Sequence, residues 1–350
     1  MSPLRSRRSA RRTRPTIALG GAGFIAVVHA LAAQAAGMRV SAVASAGGSS
    51  ARHLAGELDA SRVRPDQLPA GADVLVVATP PPDHVPLTLQ GLAAGAHVLV
   101  EKPLATTLAG ADRLVDAVGA APPDQHVRCA ENLLHAPVWR RCAELRPALG
   151  PLGHLSLRTL QPPPTWGHFT QPLRIGGVLY DLGPHALALA LALAAEAPVG
   201  VSARLSSTRD DGADDHAEVS LRFASGLVAQ VEVSWVSADT VWEAQAASDT
   251  GVLRLELLPE VRLEHDGEPV PVTLGHPDAD PSLEQFGYVD QLLDLVAGDD
   301  ATGQSVHAAR EVLELICAAY CSAGTGNEVA LPFTGDRSLT PMELWRGTSE

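Results

Sequence analysis

The stretch Thr16-Ile17-Ala18-Leu19-Gly20-Gly21-Ala22-Gly23-Phe24-Ile25-Ala26 decides the fold. A strand-like apolar run passes through glycines directly into a segment of helical period, and Gly21, Gly23 and Ala26 stand in it as G-x-G-x-x-A. The first glycine permits a tight turn, and the second lets backbone N–H groups approach a pyrophosphate. The small third residue lets helix and strand pack closely. Phe24 and Ile25 open the helix whose N-terminus would face the phosphates. This placement between strand and helix makes the segment a candidate dinucleotide turn.

Outward from that turn the same alternation continues to about Glu131. Short apolar runs lie at 16–19, 40–44, 74–78, 97–100 and 127–130, each bounded by Gly, Pro or Asp, with helix-period segments between them. This predicts an α/β fold, a doubly wound parallel sheet with helices on both faces, over 16–135. Asp83 and Thr107 read as helix N-caps, and Gly37 and Gly95 as helix ends. Beyond Gly150 the pattern becomes one-residue alternation at 152–160, 199–207, 216–223, 227–236, 251–257 and 269–274, which predicts an antiparallel sheet with one buried face. Helices are expected at 184–196, 283–297 and 305–323, a stiff loop at Pro162-Pro163-Pro164, and an acidic surface turn at 208–215. The second domain, α+β in class, is placed at 136–335, between a basic flexible tail at 1–15 and a C-terminal tail at 336–350.

Composition narrows the function. The 350 residues are 46% hydrophobic and 19% charged, enough for two globular cores. Net charge is −14 although the first fifteen residues carry six Arg and no acid, so the acidic body excludes nucleic acid and anionic membrane as main partners. Four Cys without a CxxC pair fit a reducing, cytoplasmic setting with no disulfides; Cys317 and Cys321, one helical turn apart in an apolar pattern, read as core thiols. Arg5 to Arg14, the apolar stretch to Val28 and Ala33-Gln34-Ala35 have the outline of a secretion signal. His29 and the glycines interrupt it, and its cleavage would remove a strand and helix, so a basic tail before a folded domain is the expectation. No uninterrupted apolar run is long enough to predict a membrane span.

Of the 26 basic residues 25 are Arg and one is Lys, Lys102. Arginine has replaced lysine wherever a solvated charge was enough. A site that must exchange a proton could not accept that swap, because a guanidinium stays protonated. Lys102 ends the run Val98-Leu99-Val100-Glu101-Lys102-Pro103, at the edge of a parallel sheet that faces the ligand crevice. The carboxylate that usually grips the adenosine ribose is absent, since no Asp or Glu precedes Glu57. The second strand runs instead into Ser45 and, after glycines and serines, Arg52. That chemistry suits a 2′-phosphate, so NADP is expected over NAD, with NAD possible.

With these residues quoted, the chain resembles the glucose-fructose oxidoreductase, inositol dehydrogenase and rhizopine-catabolism (GFO/IDH/MocA) family. The matching positions are the Gly21 fingerprint with His29, Ala78-Thr79-Pro80 with His84, Glu101-Lys102-Pro103, Glu131-Asn132, and Gly176-Gly177-Val178-Leu179-Tyr180-Asp181-Leu182-Gly183-Pro184-His185. The resemblance implies an N-terminal Rossmann domain, a C-terminal domain on an open, mostly antiparallel sheet, and oxidation or reduction of a sugar, inositol or related polyol with a nicotinamide cofactor. It implies that Lys102, Asp181 and His185 meet at the nicotinamide. It also places Thr79, Pro80, His84 and Glu101 at the cofactor, and Asn132 at the carboxamide or substrate hydroxyls. The family often has an Arg or aromatic two positions after that Asn, whereas Leu133-Leu134-His135 follow here. A homo-oligomer, dimer or tetramer, is expected on family grounds.

The residues bear on those roles themselves. Asp181 and His185, four apart at a helix start, share a face. His185 suits proton exchange with an alcohol, Lys102 suits polarising the oxygen and relaying the proton, and Asp181 would orient them. Asp181 could instead cap the helix, and a metal reading of the pair lacks a third ligand. Trp166, His168 and Arg174, which precede the glycines, could shape specificity. Two rival readings share the fold: a retained cofactor driving glycoside cleavage, and a nucleotide sensor without turnover.

Overall fold

The computed structural model describes residues 14–276, 278–299 and 305–347. The expected basic tail, apart from Arg14 and Pro15, and the last three residues of the expected C-terminal tail lie outside them.

The first sheet is built from β1 (Thr16–Gly20), β2 (Arg39–Ala44), β3 (Ser61–Arg62), β4 (Val74–Val77), β5 (His97–Glu101) and β6 (Val127–Ala130), all parallel, in the order β3-β2-β1-β4-β5-β6. The order reverses between β1 and β4, so the crevice at their C-terminal ends is the switch point where α/β sheets bind ligands. The five long runs of the sequence became strands because β1, β2, β4, β5 and β6 are buried between helix layers. β3 escaped notice because it is two residues long and exposed. Gly37 and Gly95 end their helices with φ of +73° and +79°. Thr107 caps the helix Leu108–Gly119, its Oγ1 accepting the Gly110 N–H at 3.1 Å. Asp83 does not cap: it is the last residue of a 3₁₀ turn, Pro81–Asp83, and its helical backbone precludes the extended N-cap geometry.

The second sheet has nine strands: β7 (His154–Leu160), β8 (Pro198–Ser206), β9 (His216–Phe223), β10 (Val228–Ser234), β11 (Val241–Ser248), β12 (Gly251–Leu258), β13 (Arg262–His265), β14 (Glu268–Pro269) and β15 (Val329–Ala330). Their order is β14-β13-β12-β11-β7-β10-β9-β8-β15, antiparallel except for the parallel pair β7 and β10. β11 and β13 are strands that the alternation did not reveal. The strand expected at 269–274 shrinks to β14, because Pro269 and Pro271 remove ladder donors. Helices Gly183–Ala194 and Val306–Thr325 pack on one face of this sheet.

The single helix expected at 283–297 is two, Pro281–Gln285 and Tyr288–Ala297, broken at Gly287. There φ is +75°, and a Cβ would lie 2.3 Å from the Asn132 carbonyl oxygen, so only glycine fits. Leu283, Val289, Leu292 and Leu295 from these helices share a core with Ile17, Leu19, Ala30 and Val43. Segment 281–297, expected as part of the second unit, thus returns to cover the first sheet. No helix among the described residues is long and apolar enough to cross a membrane.

Candidate active site

The dinucleotide turn is shaped by backbone contact. Gly21 has φ +122°, and a Cβ on it would lie 2.2 Å from the Ala78 carbonyl oxygen, so glycine alone lets β1 pass this close to the end of β4. Gly23 precedes the helix Phe24–Ala35, which has no side-chain cap and no acid in its first turn, leaving its N–H groups and positive dipole end for an anion. Ala26 is fully buried, as close packing of helix and strand requires. Ile25 packs against the first-sheet core. Thr79, just after β4, holds a buried Oγ1 with no hydrogen-bond partner. An uncapped helix start and an orphaned hydroxyl at the switch point fit a nicotinamide dinucleotide. Phe24, 63% exposed, leans on Trp166 with ring centroids 5.2 Å apart, so the loop before Gly176 arches to this turn. At the far end Ser45 Oγ lies 3.3 Å from Ser50 Oγ, and Arg52 is exposed on the following helix.

The crevice edge of β4 and β5 is locked by two buried histidines. His84 bridges the carbonyls of Thr79 (2.9 Å) and Pro103 (2.8 Å), tying Pro80 and the Thr79 loop to the Lys102-Pro103 turn, whose peptide is cis. Burial pushes the His84 imidazole below its ordinary pKa, against the pull of the two carbonyls. Glu101 was expected at the cofactor, but both its oxygens are engaged within the protein. Oε1 meets His29 Nε2 at 2.7 Å and Oε2 accepts the Lys102 N–H at 3.1 Å. Burial alone would raise the Glu101 pKa, yet His29 and Lys102 hold it below the usual carboxylate range. Glu101 therefore positions the turn from beneath.

Lys102 Nζ donates to Asp181 Oδ1 and to the Asp181 carbonyl, both at 2.8 Å, with the side chains 17% and 14% exposed. Burial pulls the ammonium pKa down, but Asp181, then Glu101 and Glu131, outweigh it, and the pKa stands above the ordinary lysine value. Asp181 thus anchors the Lys102 ammonium and makes no hydrogen bond to His185 among the described residues. His185 Nδ1 instead makes a short hydrogen bond to Glu131 Oε1, both side chains almost buried, with the Trp242 ring 5.7 Å away. Asp181 closes the short helix Val178–Asp181 while His185 belongs to the next, Gly183–Ala194, so the two side chains serve different partners. Glu131 was visible in the Glu131-Asn132 pair, but nothing local showed which base it would meet.

The 208–215 turn, expected on the surface, builds this corner. Asp214 is fully buried and Asp215 nearly so. Asp214 accepts the N–H groups of Gly177 and Leu179, each at 2.8 Å, and the Tyr320 hydroxyl, while its carbonyl accepts the Val178 N–H at 2.8 Å. A Cβ on Gly177 would fall 1.9 Å from that carbonyl oxygen. Gly177 thus admits Asp214, and Asp214 fixes the helix start that carries Asp181. Burial raises the Asp214 carboxyl pKa against its donors.

Other candidates fall around the corner. Asn132 donates its Nδ2 to the Phe286 carbonyl (2.7 Å), anchoring the returning segment. Arg174 is exposed on the loop. His168 feels Asp181, Lys102 and His84, with burial lowering its pKa. Lys102 and Glu131 share the wall of an otherwise mostly apolar cavity of about 250 Å³ with Cys129, Leu134, Pro184 and Ala188.

With this geometry in place, comparison with known proteins is direct. Residues 16–133 match the model of the oxidoreductase family with an NAD-binding Rossmann fold, and residues 146–254 match the GFO/IDH/MocA C-terminal domain. A candidate UDP-kanosamine synthase oxidoreductase subunit of Amycolatopsis mediterranei (strain S699) is 30% identical over 287 residues, 72% of this chain and 79% of that protein. The crystal structure of GenD2 from gentamicin A biosynthesis, in complex with NAD, superposes with a TM-score of 0.77 at 25% identity, covering 94% of this chain and 99% of that one. The WlbA dehydrogenase of Bordetella pertussis, solved with NADH and UDP-GlcNAcA, shares the fold with a TM-score of 0.77 at 21% identity, covering 92% and 99%. The fingerprint turn, the two sheets and these matches together make the chain a member of the GFO/IDH/MocA oxidoreductase family, an NAD(P)-dependent dehydrogenase.

Proposed function

We propose that the protein is an NADP(H)-preferring dehydrogenase or reductase acting on a secondary alcohol or ketone of a sugar, inositol or related cyclic diol. The observation that carries this reading is two buried pairings, the Lys102–Asp181 ion pair and the His185–Glu131 hydrogen bond, at the C-terminal edge of the parallel sheet. When bound, the nicotinamide takes or returns hydride at the substrate carbon. His185 handles the proton: its Nδ1 is committed to Glu131, which assigns the N–H to that nitrogen and leaves Nε2 to accept from the hydroxyl. Lys102, held as a cation, donates a hydrogen bond to the oxygen on which charge develops. Asp181 fixes the ammonium and Glu131 the imidazole.

The sugar-type substrate is supported by the relatives, whose names carry UDP-kanosamine, gentamicin A and UDP-GlcNAcA. The NADP preference is supported by the lack of any carboxylate before Glu57, where an NAD enzyme would grip the ribose diol. A cytoplasmic homo-oligomer is part of the same reading. The experiment is a panel of sugars, sugar nucleotides, inositols and diols with NADP and NAD, followed by nicotinamide absorbance. Net reduction of NADP with a cyclic polyol is expected. Nucleotide that copurifies with the protein, together with no net turnover of added cofactor, would overturn the reading in favour of a retained-cofactor reaction.

A further inference from the structure

The adenosine end of the crevice holds a residue that the fingerprint does not mark. β3 runs parallel to β2 with Arg62 opposite Val43, and the Val63 N–H donates to the Val43 carbonyl at 3.0 Å. From this edge the Arg62 side chain reaches over the turn that follows β2, so that a Cβ on Gly48 would lie 2.9 Å from its Nη2. Gly48 has φ +66°, a backbone conformation that calls for glycine.

The surroundings of that guanidinium are chemically one-sided. Ser45 and Ser50 bring their hydroxyls within 3.3 Å of each other. The helix Ser49–Glu57 starts without a side-chain cap and without an acid in its first turn. Glu57, the first carboxylate of the chain, is turned to His53 at 3.3 Å. Arg62 and Arg52 are exposed, and neither makes an ion pair among the described residues, whereas the neighbouring Arg64 is bound to Asp66 at 3.0 Å. In a chain of net charge −14, this is a place where two arginines gather and no described carboxylate forms an ion pair with either.

We propose that Arg62, contributed by the neighbouring edge strand and not by the β2 turn itself, selects the 2′-phosphate of NADP(H), with Arg52 and the Ser45 and Ser50 hydroxyls lining the same turn. The inference deepens the NADP(H) reading above and rests on it. A guanidinium offers a planar fork of donors that matches phosphate oxygens, and a ribose diol gives that fork no charge to hold.

The test uses the full chain and direct binding. Calorimetry with 2′,5′-ADP and 5′-AMP, and fluorescence titration with NADPH and NADH, are run on wild type, Arg62→Ala, Arg62→Lys and Arg52→Ala. Arg62→Ala is expected to weaken 2′,5′-ADP and NADPH by about 10- to 100-fold and to leave 5′-AMP and NADH unchanged. Arg62→Lys should recover part of the loss, and Arg52→Ala should lose less. Melting temperatures should stay together, because Arg62 is exposed and unpaired. Equal weakening of all four ligands, or an unchanged NADPH-to-NADH ratio in Arg62→Ala of a wild type that prefers NADPH, overturns the role of Arg62. A wild type that binds NADH more tightly overturns the NADP(H) reading itself, whatever the variant does.

Discussion

The two ends of the ligand crevice treat charge in opposite ways. At the Lys102–His185 corner both side chains are nearly buried, and each already has its carboxylate, Asp181 or Glu131. At the adenosine end Arg52 and Arg62 stand in solvent without one. Burial explains the contrast, because an unpaired charge removed from water costs several kcal/mol and must be matched within the protein, whereas a solvated arginine can wait for its anion. The corner therefore carries its own counter-charges, whereas the far end presents its guanidinium groups to solvent.

That contrast is broken most severely at the corner. His185→Ala should lower kcat by roughly 100- to 10,000-fold with the NADPH dissociation constant unmoved; steady-state kinetics beside a binding titration would show it, and equal loss of binding would end the distinction between the regions. Lys102→Arg keeps the charge but changes the donor geometry, and a fall of about 100-fold is expected. Near-wild-type turnover would remove Lys102 from the chemistry.

Next in size is the support beneath the corner. Asp214→Ala leaves the Leu179 N–H and the Tyr320 hydroxyl without their acceptor and the Gly177 N–H with only the Tyr320 oxygen, and a loss of about 3 kcal/mol in denaturant unfolding is expected. The exposed Arg62→Ala should change stability by less than about 0.5 kcal/mol.

The pH response separates pairing from mere proximity. The folded pKa of Lys102 is raised, so the stability from its pairing is fully present below about pH 10 and lost as pH rises through the folded value. Asp181→Asn removes the partner that outweighs burial, so the Lys102 pKa falls. The basic limb of the kcat profile should then move to lower pH than in wild type. An unchanged profile would show that Asp181 does not hold the charge.

Among effects on ligand binding and turnover, the smallest is expected at the loop before Gly176. Trp166→Ala removes a ring that rests on Phe24 beside the fingerprint turn, and dinucleotide binding should weaken by only a few fold, about the 0.5–1.5 kcal/mol of one aromatic pair. A loss at the scale of His185→Ala in turnover would make that loop part of the corner.

Most of the first sheet was legible because its strands are long, apolar and bounded by turn residues. β3 was not, being two exposed residues, and with it Arg62 was hidden. The 208–215 turn was misread because four aspartates in eight residues resemble a solvated loop, and only the backbone N–H groups of the Gly177 segment make Asp214 a buried acceptor. Asn132 and Glu101 are placed near the cofactor by resemblance; what the sequence did not show is that the Asn132 Nδ2 donates to the Phe286 carbonyl and that the Glu101 carboxylate meets His29 and the Lys102 backbone.

By itself the sequence determined the strand-turn-helix that takes a dinucleotide, the change from parallel to alternating sheet, and the lone lysine at the crevice edge. Each depends on neighbours a few residues apart, where spacing alone dictates geometry. Only the tertiary structure decided which carboxylate meets which base. Lys102 and Asp181 are 79 residues apart, Glu131 and His185 54, and Gly177 and Asp214 37. Such pairs come together only when two sheets and the helices between them pack, because burial demands for each polar group a partner that spacing along the chain does not specify.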